Sequence, residues 1–288
     1  MMATSASDRR WWLSPRARRV VLCFFVLTLV VVLTGTLLDR GGDGRVKRGP
    51  LVGGDLHAVG AFDDRIFVGG HAGAGYRVAT GGWTQIGTLD DKDVMGWAQS
   101  GTDLLAGGHG GLYRSSDDGS TFQEVPDLPV SDVHALGASG QRVYLGSPEA
   151  GVLVSDDGGT SFAPVSGTGQ DFMGTIWVDP SDPDVAIAPS MQSGAVKTTD
   201  GGASWAPMGS APGSMAVAVD ASGLTLVAIG MNGAEASDDG GATWSASDVP
   251  VGASAAAYTA EGELIVAALS GDRAEFYQET SGKWDSLT

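Results

Sequence analysis

The chain has 288 residues, 17 Lys/Arg, 34 Asp/Glu, four histidines and one cysteine, giving a formal net charge of −17. That length accommodates one sandwich, barrel or propeller, or two small domains, and 45 glycines among few aromatics point to short strands and many turns. Residues 1–49 carry nine basic and three acidic residues, leaving eight basic and 31 acidic ones for the rest, a body that argues against nucleic acid as a partner.

Residues 1–19 are a basic head ending in "RRWWLSPRARR" (9–19), followed by the uncharged run "VVLCFFVLTLVVVLTGTLL" (20–38). Nineteen such residues reach about 28 Å as a helix, roughly the hydrocarbon thickness of a bilayer. The run is therefore expected to be a single transmembrane anchor, with Arg16, Arg18 and Arg19 on the cytoplasmic side and Trp11 and Trp12 at the headgroups. This places everything from residue 39 onward outside the cytoplasm, as the body of a single-pass cell-membrane protein. A cleaved signal peptide is the competing reading, which the exit "TGTLLDRGG" fits poorly. Cys23 lies inside the span, so the exported body has no disulfide. Residues 39–50 are expected to be a flexible linker.

Residues 51–288 carry a repeat. "SSDDGSTF" (115–122), "SDDGGTSF" (155–162), "TTDGGASW" (198–205) and "SDDGGATW" (237–244) fit the pattern [S/T]-x-D-x-G-x-x-[W/F]. Worn copies stand at 79–83 and 280–284, and the closing aromatics Trp83, Phe122, Phe162, Trp205, Trp244 and Trp284 are spaced 39, 40, 43, 39 and 40 residues apart. Strand-rich units at that period predict an all-β fold, a six-bladed propeller with four-stranded blades. Each repeat divides into four strands, as in "DLHAVGAF", "RIFVGG", "GYRVAT" and "WTQIG" of the first. The last repeat supplies its own fourth strand, so no strand exchange between the first and last blades is expected.

The octamer resembles the Asp box, or BNR repeat, of sialidase-like propellers, and the whole chain resembles small bacterial membrane-anchored propellers labelled glycosylhydrolase. The resemblance implies that each octamer is a tight turn between the third and fourth strands. Ser115, Asp117, Gly119 and Phe122 would then be structural, as would Ser155, Asp157, Gly159 and Phe162. Thr198, Asp200, Gly202 and Trp205, and likewise Ser237, Asp239, Gly241 and Trp244, complete the set. Asp caps such a turn, Gly supplies positive φ and the aromatic anchors the hairpin. Calcium binding is the alternative for these loops, but none supplies the ligand series of an EF-hand.

Two columns emerge when the repeats are aligned. The first, near the start of the innermost strand, reads His57, Met95, His134, Met173, Met215 and Ala255; the second, at the end of the next strand, reads His71, His109, Pro148, Met191, Met231 and Leu269. Nine of the ten His and Met residues of the propeller region fall in these slots. An antiparallel hairpin sets the start of its first strand beside the end of its second, so both columns are expected at one mouth of the central channel. Imidazole with thioether and no cysteine suits copper, with thioether favouring Cu(I). Asp55, Asp93, Asp132 and Asp171 precede the first column by two residues and are expected to orient the imidazoles or add negative field. Packing is the competing explanation, because Met fills irregular apolar gaps.

Two further functions stay open. A sialidase-type glycoside hydrolase wants three arginines, a Tyr nucleophile with a Glu partner, and an Asp acid/base. Only Arg65, Arg77, Arg114, Arg142 and Arg273 are available, and none is expected near the rim that carries Glu149 and Asp132, or clustered about Tyr258. An acidic, membrane-tethered disc also fits a docking or assembly platform for a basic or membrane-bound protein.

Overall fold

The computed structural model describes residues 49–78 and 81–287. The basic head, the 20–38 run and most of the linker lie outside the described residues, among which no helix is long and apolar enough to cross a membrane.

Six sheets follow one another along the chain, one per repeat; five have four antiparallel strands, and the third gains a short parallel fifth strand from the fourth repeat. Blade 1 comprises β1 (Leu56–Phe62), β2 (Arg65–Gly70), β3 (Gly73–Val78) and β4 (Trp83–Gln85). Blade 2 has β5 (Gly96–Ser100), β6 (Asp103–Gly108), β7 (Gly111–Ser115) and β8 (Gln123–Glu124), and blade 3 has β9 (Ala135–Ser139), β10 (Arg142–Ser147), β11 (Gly151–Ser155) and β12 (Ala163–Ser166). Blade 4 opens on two short pieces, β13 (Gly174–Thr175) and β14 (Trp177–Val178), before β15 (Ala186–Ser190), β16 (Gly194–Thr198) and β17 (Ala206–Pro207). Blade 5 is β18 (Ser214–Val219), β19 (Leu226–Gly230), β20 (Gly233–Ser237) and β21 (Ser245–Ser247). Blade 6 is β22 (Ala253–Tyr258), β23 (Leu264–Ser270), β24 (Arg273–Thr280) and β25 (Lys283–Ser286).

The core lies between blades, because each sheet buries both faces of its inner strands against its neighbours. Phe67 of blade 1 packs on Trp97 of blade 2 with ring centroids 5.3 Å apart. Leu105 and Leu112 of blade 2 share a buried cluster with Leu136, Leu145 and Leu153 of blade 3.

All four octamers lie between the third and fourth strands of their blades and share one bonding pattern. The first-position hydroxyl (Ser115, Ser155, Thr198, Ser237) donates to the Asp carboxylate at 2.7–2.8 Å and accepts from the Gly amide four residues on at 2.8–3.0 Å. The carboxylates of Asp117, Asp157, Asp200 and Asp239 accept the amide and hydroxyl of Thr121, Ser161, Ser204 and Thr243. The seventh position is thus always Ser or Thr, which the eight-residue pattern left open. Positions four and five take positive φ in every copy, from Asp118 (56°) and Gly119 (80°) to Gly240 (71°) and Gly241 (85°). Both carboxylate oxygens thus take part in closing the turn.

The closing aromatics reach the preceding blade. The indole N–H of Trp244 donates to the Met208 carbonyl of blade 4, and that of Trp284 to the Asp248 carbonyl of blade 5. Trp205 packs edge-on to Tyr144 of blade 3. Trp83 stacks on Phe276 of blade 6 at 3.8 Å, which joins first blade to last. Closure is completed by Leu51, bridged to Arg273, and by the Val52 amide donating to the Asp272 carbonyl at 3.0 Å. The first and last blades exchange no whole strand among the described residues, as expected.

Blade 4 departs from the repeat. Phe172 bridges Ser190 in the usual register, but Gly174–Thr175 then swings away and pairs parallel with Ala135 and Leu136 of β9. Gly174 makes this possible with φ at 67°, and a Cβ there would lie 3.0 Å from the Met215 carbonyl oxygen and 3.6 Å from that of His57. Across the axis, the Thr175 hydroxyl donates to the Val59 carbonyl of blade 1 at 3.2 Å. The central channel is therefore narrowed beneath the rim that holds His57. Beyond this point a cavity of about 140 Å³ opens toward the opposite face, between Phe62, Trp97, Trp177 and Tyr258.

Candidate metal centre

The rim is built by close backbone approach. A Cβ on Gly69 would lie 2.6 Å from the Val94 carbonyl oxygen of the next blade, and one on Gly108 would lie 1.8 Å from that of Asp93. The two glycines before His71 and before His109 let the end of the second strand meet the start of the neighbouring blade's first strand. His71 and His109 then stand in the turns that follow, with the His109 backbone bridged to Asp132 of blade 3.

All four histidines of the chain gather here with Asp93 and Asp132. His57 Nε2 lies 3.2 Å from Asp93 Oδ1, and His71 Nδ1 lies 3.3 Å from Asp93 Oδ2. His109 Nδ1 approaches Asp93 Oδ2 to 2.6 Å, while its Nε2 lies 3.4 Å from Asp132 Oδ1. His134 Nε2 is 3.1 Å from Asp132 Oδ1 and 3.1 Å from His109 Nε2. The atoms form two groups, His57/His71/Asp93 and His109/Asp132/His134, each with its donor atoms within 4.8 Å of one another.

Two features separate this cluster from an ordinary set of surface ion pairs. Asp93 is 7% exposed, the one buried charged side chain among the described residues. Its two oxygens, together with His57 Nε2 and Asp132 Oδ1, are buried without an aligned hydrogen-bond partner. Close as they are, these atoms do not point along one another's N–H lines. Two ligand atoms about 2.0–2.1 Å from one ion lie about 2.9 Å apart at a right angle and about 3.4 Å apart at the tetrahedral angle. The contacts of 3.1–3.4 Å within the two groups match those edges.

Electrostatics favour the ligating form at two of the donors, Asp93 and His134. Burial pushes the Asp93 carboxyl up, but the proximity and charge of His57, and then of His109, outweigh it and hold the group below its ordinary value. Burial lowers His134, with His109 acting the same way, and together they prevail over the opposing pull of Asp132. The His134 imidazole is thus favoured in its neutral, lone-pair-bearing form.

Asp132 meets His134 of its own blade and His109 of blade 2, while Asp93 meets His109 of its own blade and His57 and His71 of blade 1. Asp55 instead accepts the Leu56 amide at 3.0 Å, and Asp171 accepts the Gln192 amide at 3.0 Å and the Ser190 hydroxyl. Neither carboxylate has an imidazole among these partners, although the Asp55 carbonyl accepts the His71 amide at 3.1 Å. The methionines occupy the rim positions expected from the alignment. Met95 sits beside the His109 strand, its amide donating to the Gly107 carbonyl at 2.7 Å, and Met173, Met191 and Met231 are likewise tied to Pro189, Asp171 and Gly213. Met215, in β18, is half-buried. Their burial is uneven: Met95 is 3% exposed and Met231 68%.

No protein-family model and no curated protein sequence matches the chain. Solved structures do. The GH74 xyloglucanase from Xanthomonas campestris superposes with a TM-score of 0.58 at 17% identity, over 84% of this chain and 46% of that one. The extracellular domain of a one component system from B. thetaiotaomicron gives 0.53 at 12% identity, over 77% of this chain and 32% of that one. YCF48 bound to D1 peptide gives 0.47 at 17% identity, over 67% of each chain. The likeness is one of fold. The chain spans less than half the length of the xyloglucanase, and no activity follows from the match.

The five arginines of the described residues serve the scaffold. Arg65 donates to the Asp118 carbonyl in the blade 2 octamer, Arg114 to Gly158 in the blade 3 octamer at 2.7 Å, and Arg142 pairs with Asp156 at 2.7 Å and Asp184 at 3.3 Å. Arg77 and Arg273 donate to the Leu287 and Gly49 carbonyls across the ring closure. Glu149 accepts the Ser131 hydroxyl at 2.7 Å, and Tyr258 lines the cavity at the far end of the channel, its phenol pushed up to about 12 by burial and by the charge of Asp220. No arginine clamp surrounds either residue.

Proposed function

We propose that this propeller is a metal-binding module whose ligands are His57, His71, Asp93, His109, Asp132 and His134. The observation that carries the reading is the buried Asp93 carboxylate, flanked by imidazoles at ligand-to-ligand spacing with no aligned hydrogen bond of its own. A buried carboxylate without hydrogen bonds is costly unless a cation compensates it. Imidazole and carboxylate together suit Zn²⁺ and Cu²⁺, and the Irving–Williams order places Cu²⁺ highest, so copper is the preferred ion. The donor set supports Cu(II) rather than the thioether-bound Cu(I) expected from the methionine columns. The octamer turns support their reading as Asp boxes of the sialidase-like type, with a structural role.

We propose further that residues 20–38 anchor the propeller to the membrane and display it outside the cytoplasm, on the strength of the basic head and the uncharged run. Isothermal titration of the full chain should show Cu²⁺ and Zn²⁺ bound with Mg²⁺ and Ca²⁺ ignored, and His57→Ala with His134→Ala should abolish the binding. A copper affinity weaker than about 1 µM in the wild type would overturn the metal reading. The acidic body would then favour a docking platform for a basic partner.

A further inference from the structure

We infer that the cluster is a two-ion centre in which Asp93 links the ions, an inference that rests on the metal reading above. Six donors can serve one ion only if all of them face it. His109 prevents this. Its Nδ1 stands 2.6 Å from Asp93 Oδ2, whereas its Nε2 faces Asp132 Oδ1 at 3.4 Å and His134 Nε2 at 3.1 Å. The two nitrogens of an imidazole project to opposite sides of the ring and cannot chelate the same ion. The His109 ring therefore stands between two centres.

The second centre is closed by its own distances. His109 Nε2, His134 Nε2 and Asp132 Oδ1 make a nearly equilateral triangle with edges of 3.1, 3.1 and 3.4 Å, the three-ligand base of a tetrahedral site. The first centre uses His57 and His71, each against a different oxygen of Asp93. Each centre has two neutral imidazoles and one carboxylate, so a dication in either keeps a net positive charge and an open position for water or an anionic ligand. Asp93 then has two tasks. It is a ligand of the first ion, and it faces the nitrogen of His109 that the second ion leaves free. With the His109 N–H turned into line on metal binding, this contact becomes the carboxylate–histidine–metal arrangement that fixes an imidazole's tautomer and raises its basicity.

The asymmetry between the two aspartates gives the test. Asp132 serves one centre and Asp93 serves both. Cu²⁺ titrated into the full chain against a competing chelator should saturate at two equivalents, and the electron paramagnetic resonance spectrum should broaden by dipolar coupling between the first and second equivalent. His57→Ala with His71→Ala should leave one equivalent, as should Asp132→Ala with His134→Ala. Asp93→Asn should remove the first equivalent and weaken the second by about 10–100-fold, the usual effect of losing a carboxylate behind a ligating histidine. Saturation of the wild type at one equivalent with an uncoupled spectrum would overturn the two-ion centre while leaving the metal reading standing. No binding at all would overturn both. The wild-type stoichiometry and spectrum decide the matter even if a variant fails to fold.

Discussion

Asp93 of blade 2 lies 3.2 Å from His57 of blade 1, and both contacting atoms are buried without an aligned hydrogen bond. A protein selected for stability alone has little reason to keep such a carboxylate. Asp93→Asn should therefore leave the melting temperature of the metal-free protein within about 4 °C of wild type, the shift expected for roughly 1 kcal/mol in a domain of this size. The same variant should lose most of the stabilisation that Cu²⁺ confers on wild type. Thermal melts with and without metal read both effects; a large loss in the metal-free melt would make Asp93 a structural residue.

The glycines before the histidines set the rim by contact. A Cβ on Gly108 would fall 1.8 Å from the Asp93 carbonyl oxygen, so Gly108→Ala must displace the His109 turn or the start of the blade 2 inner strand. We expect a stability loss of about 1–3 kcal/mol by chemical denaturation, with weakened copper binding in protein that stays folded. Unchanged binding in the folded variant would show that the turn's position does not matter to the site.

The octamer aspartates should make stability depend on pH in the acid range. Hydrogen bonds from the Thr121 and Thr243 hydroxyls and amides hold Asp117 and Asp239 down to about 2. A carboxyl lowered in the folded state contributes stability that is complete above its unfolded value, about 3.9, and is lost as pH falls through the folded value. The melting-temperature difference between wild type and Asp117→Asn should hold constant down to about pH 4 and shrink below it. A difference independent of pH down to about pH 1 would mean the carboxylate's charge plays no part.

Phe122 is 4% exposed and shares a cluster with Trp97 and Phe67, so it holds blade 2 to blade 1. Phe122→Ala should cost about 3–5 kcal/mol in denaturant unfolding. Copper binding should survive in the folded fraction, since the octamer turns and the rim lie on opposite faces. Binding lost in folded protein would move the functional site to the octamer face.

Much of this was legible in the sequence because a repeat carries its own register. The spacing of the octamers predicted six blades, and equal positions in successive blades had to converge on one rim. The alignment does not reveal what crosses between blades. Asp93 meets His57 and His71 of blade 1 as well as His109 of its own blade, and those contacts depend on the curvature of the ring. The pairs of glycines before His71 and His109 were the available signal. The alignment likewise does not report side-chain surroundings, which equivalent backbone positions do not share, as buried Met95 and exposed Met231 show. Nor does periodicity report the excursion at Gly174, where one residue at positive φ turns the inner strand of blade 4 into the channel.

The central claim is that the four imidazoles and two carboxylates ligate metal, and anomalous diffraction at the copper edge tests it most directly. Crystals of the copper-loaded protein should show anomalous peaks at the rim, within about 2.0–2.2 Å of His57 Nε2 and of His134 Nε2. Copper-loaded crystals with no peak within ligating distance of any of the four histidines would contradict the account.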